Sequence, residues 1–115
     1  MNDLLAWLLA GHMIGDYLFQ TRWMAERKMT LISALTIHSA IYACVVWVVS
    51  LPAGGLNPIS VLFVFIAHAV VDRRGITMWW CRNVTQSSRM WLLIITDQSL
   101  HVVVLVLTCL LERII

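Results

Sequence analysis

The sequence LISALTIHSAIYACVVWVVSL, residues 31–51, contains no aspartate, glutamate, lysine or arginine over its 21 positions. A helix needs about 20 predominantly apolar residues to cross the hydrocarbon core of a bilayer, so this stretch is long enough. Residues 90–111 form a second such run, in which Asp97 is the one charged residue. Both runs predict membrane-spanning helices.

Two shorter apolar runs, residues 4–21 and 58–73, complete the set of predicted spans. Asn57 and Pro58 are typical of the N-cap and first turn of a helix, and they mark the start of the third span. Across the chain 61% of residues are hydrophobic and 12% are charged, whereas soluble domains carry about 25% charged residues. We therefore predict an all-α fold, a four-helix transmembrane bundle, built by residues 1–115 as one domain.

The lysines and arginines predict the orientation of this bundle. Seven of the eight lie in the loops after the first and third spans: Arg22, Arg27, Lys28, Arg73, Arg74, Arg82 and Arg89. Short loops rich in lysine and arginine stay on the cytoplasmic side of a membrane, so both termini are predicted to lie outside the cytoplasm. The lipid bilayer is the predicted partner. No cluster of basic and aromatic residues indicates nucleic-acid binding.

Histidines and aspartates recur at a similar depth in the four predicted spans. Each span contains one histidine, and three of these have an aspartate four residues away: His12 with Asp16, His68 with Asp72, and His101 with Asp97, whereas His38 has none. Residues four apart lie on one face of a helix. Counted at about 1.5 Å per residue from the predicted cytoplasmic ends, these side chains all fall in the cytoplasmic half of the bilayer.

Aspartates within a membrane need a structural or functional reason. Each costs about 2.5–3.5 kcal/mol at the centre of a spanning helix, even on the scale derived from insertion experiments. Imidazole and carboxylate groups together suit a divalent metal ion, and zinc, manganese and iron are the candidates. The predicted metal ligands are His12, Asp16, His38, His68, Asp72, Asp97 and His101. The sequence leaves open whether each aspartate binds the metal or orients a histidine that does.

Three classes of function fit this pattern. The leading hypothesis is a metal-dependent hydrolase, in which the metal lowers the pKa of bound water to about 7 and Asp16 or Asp97 acts as the general base. Its substrate would be membrane-associated, for example a lipid with an ester in its headgroup. One alternative is a small structural or regulatory membrane protein whose histidine–aspartate pairs hold the helices together. Another is a protein that transports protons or metal ions along the same side chains.

Residues 11–20, GHMIGDYLFQ, followed by Trp23, Ala25 and Lys28, resemble the opening of an uncharacterised family of small bacterial and phage integral membrane proteins, domain of unknown function family 3307. The later blocks at residues 38–42, 68–72 and 97–101 fit the same pattern. This resemblance implies a membrane protein but no particular activity, and we predict the bacterial inner membrane as its location. A looser likeness to inner-membrane metal-dependent hydrolases rests on the shared use of intramembrane histidine and aspartate.

Overall fold

The computed structural model describes residues 3–115, 81% of which are helical, and it contains no strand among those residues. The six α-helices are α1 (Leu4–Met13), α2 (Arg22–Arg27), α3 (Ile32–Ser50), α4 (Pro58–Asp72), α5 (Gly75–Asn83) and α6 (Met90–Ile114). A π-helical turn, Ile14–Leu18, continues α1, and a 3₁₀ turn, Leu51–Ala53, ends α3. The predicted all-α class is confirmed.

Two of the four predicted spans meet the length and composition of a membrane helix. These are Ile32–Ala53, with 22 residues, and Met90–Ile114, with 25 residues. The other two are shorter apolar helices, Leu4–Leu18 and Pro58–Asp72. The start of α4 is as predicted, because Pro58 is its first residue and the Asn57 side chain accepts a hydrogen bond from the backbone N–H of Ile59 at 3.0 Å.

The four longer helices pack in a ring, in which α1 contacts α3, α3 contacts α4, α4 contacts α6, and α6 contacts α1. Their shared apolar core includes Leu8, Tyr42, Val46, Val64 and Leu105. Gly11 faces Val46 whereas Gly15 faces Tyr42, so α1 and α3 run antiparallel, and Lys28 after α2 contacts Asp72 at the C-terminal end of α4. As a result α2, which follows the first long helix, and α5, which follows the third, lie at the same end of the bundle.

Two segments that the sequence analysis placed in loops contain helices. Arg22–Arg27 forms α2, which begins after Thr21, whose hydroxyl accepts a hydrogen bond from the N–H of Met24 at 3.3 Å. Gly75–Asn83 forms α5, which packs against α4 and α6. Both helices are too short to span a bilayer, so the length of apolar runs does not predict them.

Polar side chains are concentrated inside the bundle and apolar side chains outside it. Among residues 3–115, the buried side chains comprise 13 polar or charged and 12 apolar ones, while 35 large apolar side chains are exposed. All six tryptophans are among the exposed residues. A bundle that folds in water has the opposite arrangement, with apolar stripes facing inward.

Gly11 and Gly15 allow α1 to approach α3 closely. A Cβ atom at Gly11 would lie 3.0 Å from the Cα atom of Val46, and one at Gly15 would lie 3.2 Å from the ring of Tyr42. Small residues four apart are a common device for close packing of helices in membranes. The close approach brings the polar face of α1 and its π turn against α3.

Candidate metal centre

Four segments bring five ionisable side chains together inside the bundle. The π turn after α1 contributes Asp16, α3 contributes His38, α4 contributes His68 and Asp72, and α6 contributes His101. All five are buried, with at most 4% of their surface exposed. His68 and Asp72 lie on one face of α4, as their spacing predicted.

Four of these residues have the geometry of a metal-ligand set. One donor atom from each of Asp16, His68, Asp72 and His101 lies within 4.8 Å of the other three. The Nε2 atom of His68 is 3.6 Å from Oδ2 of Asp72 and 3.9 Å from Oδ1 of Asp16, and Nε2 of His101 is 3.7 Å from Oδ1 of Asp72. Ligands bound at about 2.1 Å to a tetrahedral cation lie roughly 3.4 Å apart, so donor atoms separated by up to 4.8 Å would have to move closer on binding.

Three of the four ring nitrogens of His68 and His101 lack a hydrogen-bond partner among residues 3–115. Neither ring nitrogen of His68 has one among residues 3–115, and the same holds for Nε2 of His101. The Nδ1 atom of His101 lies 2.7 Å from the backbone oxygen of Asp97, to which it donates, so Nε2 carries the lone pair. Buried polar atoms are usually paired, and a cation bound to these nitrogens would satisfy them.

His38 lies between the two carboxylates of the cluster. Its Nε2 atom is 3.0 Å from Oδ1 of Asp16 and 3.2 Å from Oδ2 of Asp72. An Nε2–H group here donates to Asp16 and lies in close electrostatic contact with Asp72. His38 can therefore bridge the carboxylates directly, or it can give up this proton and join the ligands of a cation.

Lys28 is a member of the site that the sequence analysis missed. It is buried, and its ammonium group lies 2.9 and 3.0 Å from the two carboxylate oxygens of Asp72. It also donates to the side-chain oxygen of Gln20 at 2.8 Å. Composition indicated only a charged loop at this position. The one indication of a specific role for Lys28 in the sequence was its place among the residues that resemble the family.

His12, a predicted ligand, lies beside the four-residue set, in a separate hydrogen-bond network. Its Nε2 atom is 2.8 Å from the side-chain oxygen of Gln98 and its Nδ1 atom is 2.9 Å from the hydroxyl of Tyr42. Because the amide oxygen only accepts, Nε2 carries the proton and Nδ1 accepts from Tyr42. The Tyr42 ring in turn stacks on His68, with centroids 3.8 Å apart and planes inclined by 14°.

Asp97, also a predicted ligand and general base, connects α6 to α5 in this structure. Its carboxylate accepts hydrogen bonds from the Thr77 hydroxyl at 3.5 Å and the Gln98 amide at 3.2 Å. The guanidinium of Arg74 approaches it at 4.0 Å, from a backbone with a left-handed φ of 66°. Non-glycine residues seldom adopt this conformation, and it tends to occur at functional positions.

Of the seven predicted ligands, five thus meet around the carboxylates of Asp16 and Asp72, and two, His12 and Asp97, lie in the network beside them. Asp16, the other predicted general base, is within the four-residue set. Two imidazoles and two carboxylates form a donor set that suits zinc, manganese or iron.

Residues 4–113 match the family model described as protein of unknown function (DUF3307). The match covers nearly the whole chain, and the chain belongs to this family, as the resemblance of its sequence blocks predicted. No curated protein and no solved structure matches the chain significantly.

Proposed function

We propose that this member of the DUF3307 family is a four-span inner-membrane protein that binds one divalent cation between Asp16, His68, Asp72 and His101. The observation that carries the proposal is the convergence of four buried donor atoms within 4.8 Å of one another. A cation is the simplest partner for the unpaired imidazole nitrogens found there.

The distribution of side chains supports the membrane placement. A polar interior and an apolar exterior suit a bundle whose solvent is lipid, because intramembrane polar groups face one another. The helical segments Leu4–Leu18 and Pro58–Asp72 have 15 residues each, or roughly 22 Å, against about 30 Å of hydrocarbon. Short spans of this kind are accommodated by local thinning of the bilayer and by flanking residues that reach its surface.

The charges within the cluster support a cation that carries hydroxide. With neutral histidines, Asp16 and Asp72 contribute two negative charges and Lys28 contributes one positive charge, so the cluster keeps one negative charge. A divalent cation with one bound hydroxide adds a single positive charge and makes the cluster neutral. Burial of a net charge in low dielectric is costly, which favours this state.

Such a cation supplies hydroxide from bound water near neutral pH, the nucleophile of many metal-dependent hydrolases. We propose hydrolysis of an ester in a membrane-associated substrate, in line with the leading sequence hypothesis. Asp97 is the favoured general base, because it lies outside the four proposed ligands, whereas Asp16 would bind the cation and already accepts a hydrogen bond from His38. The substrate would enter from the end of the bundle where α2 and α5 lie.

Elemental analysis of the full chain, purified in detergent without chelator, tests the metal site. We expect about one divalent cation per chain, and His68→Ala and His101→Ala should each abolish most of the binding. Ser60→Ala is the matched control, since Ser60 is also buried on α4 but belongs to neither polar network. Wild-type protein that stays metal-free after incubation with zinc, manganese and iron would refute the proposal.

A second candidate, a structural protein without metal, is favoured by one observation. His38 bridges the two carboxylates and Lys28 pairs with Asp72, so much of the cluster is satisfied by the chain itself. If His38 is protonated, the cluster is already neutral. In that case a chelator would leave the melting temperature unchanged, whereas loss of a bound cation would lower it.

A further inference from the structure

A cavity of about 550 Å³ lies between α5 and the start of α6. Polar side chains line one part of it, and these are Arg82, Gln86, Ser87 and Ser88. Met78 and Leu93 line another part. Its size and its mixture of apolar surface with a few polar groups are those of small-molecule sites in proteins.

Arg82 is the one charged residue that lines the cavity, and the surrounding segment is basic. Residues 73–89 contain four arginines and no aspartate or glutamate. Arg82 forms no ion pair within 4.0 Å among residues 3–115, so its guanidinium is available to an anion. Arginine recognises phosphate oxygens through a planar pair of N–H donors, and serine hydroxyls can add further donors.

The surroundings of the cavity suit the boundary between lipid and water. Trp79 and Trp80 on α5 and Trp91 on α6 are all exposed beside it. Tryptophan is enriched at the level of lipid headgroups, where its ring lies in apolar surroundings and its N–H group reaches water. In the proposed orientation this level belongs to the cytoplasmic leaflet, whose surface is anionic.

We propose that this cavity binds the phosphate-ester headgroup of an anionic phospholipid. The guanidinium of Arg82 and the hydroxyl of Ser88 hold the phosphate, and Met78 and Leu93 contact the lipid where its acyl chains begin. The inference rests on the membrane placement proposed above but does not depend on the cation site.

The face of α5 that lines the cavity also contacts Asp97, which lies beside the four-residue set. Cys81 lines the cavity and contacts Thr96 of α6 at 3.6 Å, and Thr77, four residues earlier, contacts Asp97 of α6. A headgroup bound between α5 and α6 would therefore strengthen the contact between these helices. Binding should be visible as an increase in melting temperature, because a ligand of the folded state stabilises it.

The experiment measures this increase for the full chain in neutral detergent. Phosphatidylglycerol, phosphatidylcholine and inorganic phosphate are titrated separately, and native mass spectrometry counts the lipids retained. We expect stabilisation by phosphatidylglycerol, and Arg82→Gln should weaken its apparent affinity about tenfold, the effect of one lost charge-assisted hydrogen bond. Arg27→Gln, at an exposed position on the same predicted side, should bind like the wild type.

Three results would overturn the proposal. Equal losses in Arg82→Gln and Arg27→Gln would show that the lipid responds to general surface charge. Equal stabilisation by phosphatidylcholine would mean that the anionic headgroup is not selected. An equal effect of inorganic phosphate would show that the ligand is not a lipid. Bound metal, measured in parallel, should be the same in Arg82→Gln and wild type, so failure of the cation site would be recognised separately.

Discussion

At the scale of single residues, Asp72 connects more elements than its spacing from His68 indicated. It lies at the end of α4 and contacts Lys28 from the segment after α2, His38 from α3 and His101 from α6. The i,i+4 spacing predicted which helix face it occupies but not these partners, because periodicity does not specify how neighbouring helices are rotated about their axes.

Replacement of Lys28 should destabilise the protein strongly when no cation is bound. Lys28→Met leaves the buried carboxylate of Asp72 without its ammonium partner, and breaking a buried ion pair costs about 3–5 kcal/mol. The free energy of unfolding in mixed micelles with chelator measures this. Arg22→Met is the control, because the Arg22–Glu26 pair is exposed and its loss should cost about 1 kcal/mol or less. Similar stabilities for the two variants would contradict the importance of the Lys28–Asp72 pair.

Tyr42 should act on the proposed cation site through its ring. Tyr42→Phe keeps the ring that stacks on His68 but leaves Nδ1 of His12 without its partner, which should cost about 1–3 kcal/mol in the free energy of unfolding. Bound metal should be unchanged. Tyr42→Leu removes the stacked ring, so the affinity for metal should fall and the visible spectrum of the cobalt-substituted protein should change. Equal metal loss in both variants would assign the positioning of His68 to the hydroxyl network instead.

At the scale of elements, the close contact of α1 with α3 depends on glycine. A methyl group at Gly11 meets the backbone of Val46 at 3.0 Å, which cannot move without shifting the helix. Gly15, one turn later, faces the Tyr42 ring, whose position also affects His68. Two glycines four residues apart are typical of close packing between membrane helices, and the structure identifies α3 as the partner helix.

Gly11→Ala should therefore destabilise the bundle by about 1–3 kcal/mol, the usual effect of overpacking. Gly75→Ala is the matched control, because a Cβ atom there has nothing within 4 Å. In a helix this change should be neutral or stabilising by up to about 1 kcal/mol. Thermal unfolding in detergent compares the two. Equal stability of both variants would show that α1 and α3 have room to separate.

At the scale of the whole molecule, the long apolar runs were sufficient to predict an all-helical bundle, and the polar residues were sufficient to predict most of the cluster. The short helices α2 and α5 were not predicted, because they contain too few apolar residues to be recognised as spans. The sequence also could not predict that His12 and Asp97 lie outside the four-residue set. Both share helix faces with cluster members, and only the three-dimensional hydrogen bonds to Tyr42, Gln98 and Thr77 distinguish them.

The positions of the basic residues predict the topology. Reporters that are active only outside the cytoplasm should be active when fused at Ile115 and inactive when fused within residues 84–89, because seven of the eight lysines and arginines lie at the α2 and α5 end. A C-terminal fusion that is active in the cytoplasm would show that the number of spans is odd or that the orientation is reversed.

The unequal lengths of the four long helices also affect how the protein would be made. α3 and α6 are long and apolar enough to cross a bilayer by length and composition, whereas the apolar segments Leu4–Leu18 and Pro58–Asp72 are shorter. During synthesis, α4 would emerge before α6, so Asp72 would at first lie in the membrane without its contact to His101. If α4 packs first against the α1–α3 hairpin, Lys28 and His38 would already pair with the Asp72 carboxylate. The α1–α3 hairpin would then form first, and insertion of α6 would close the ring and add His101 to the site.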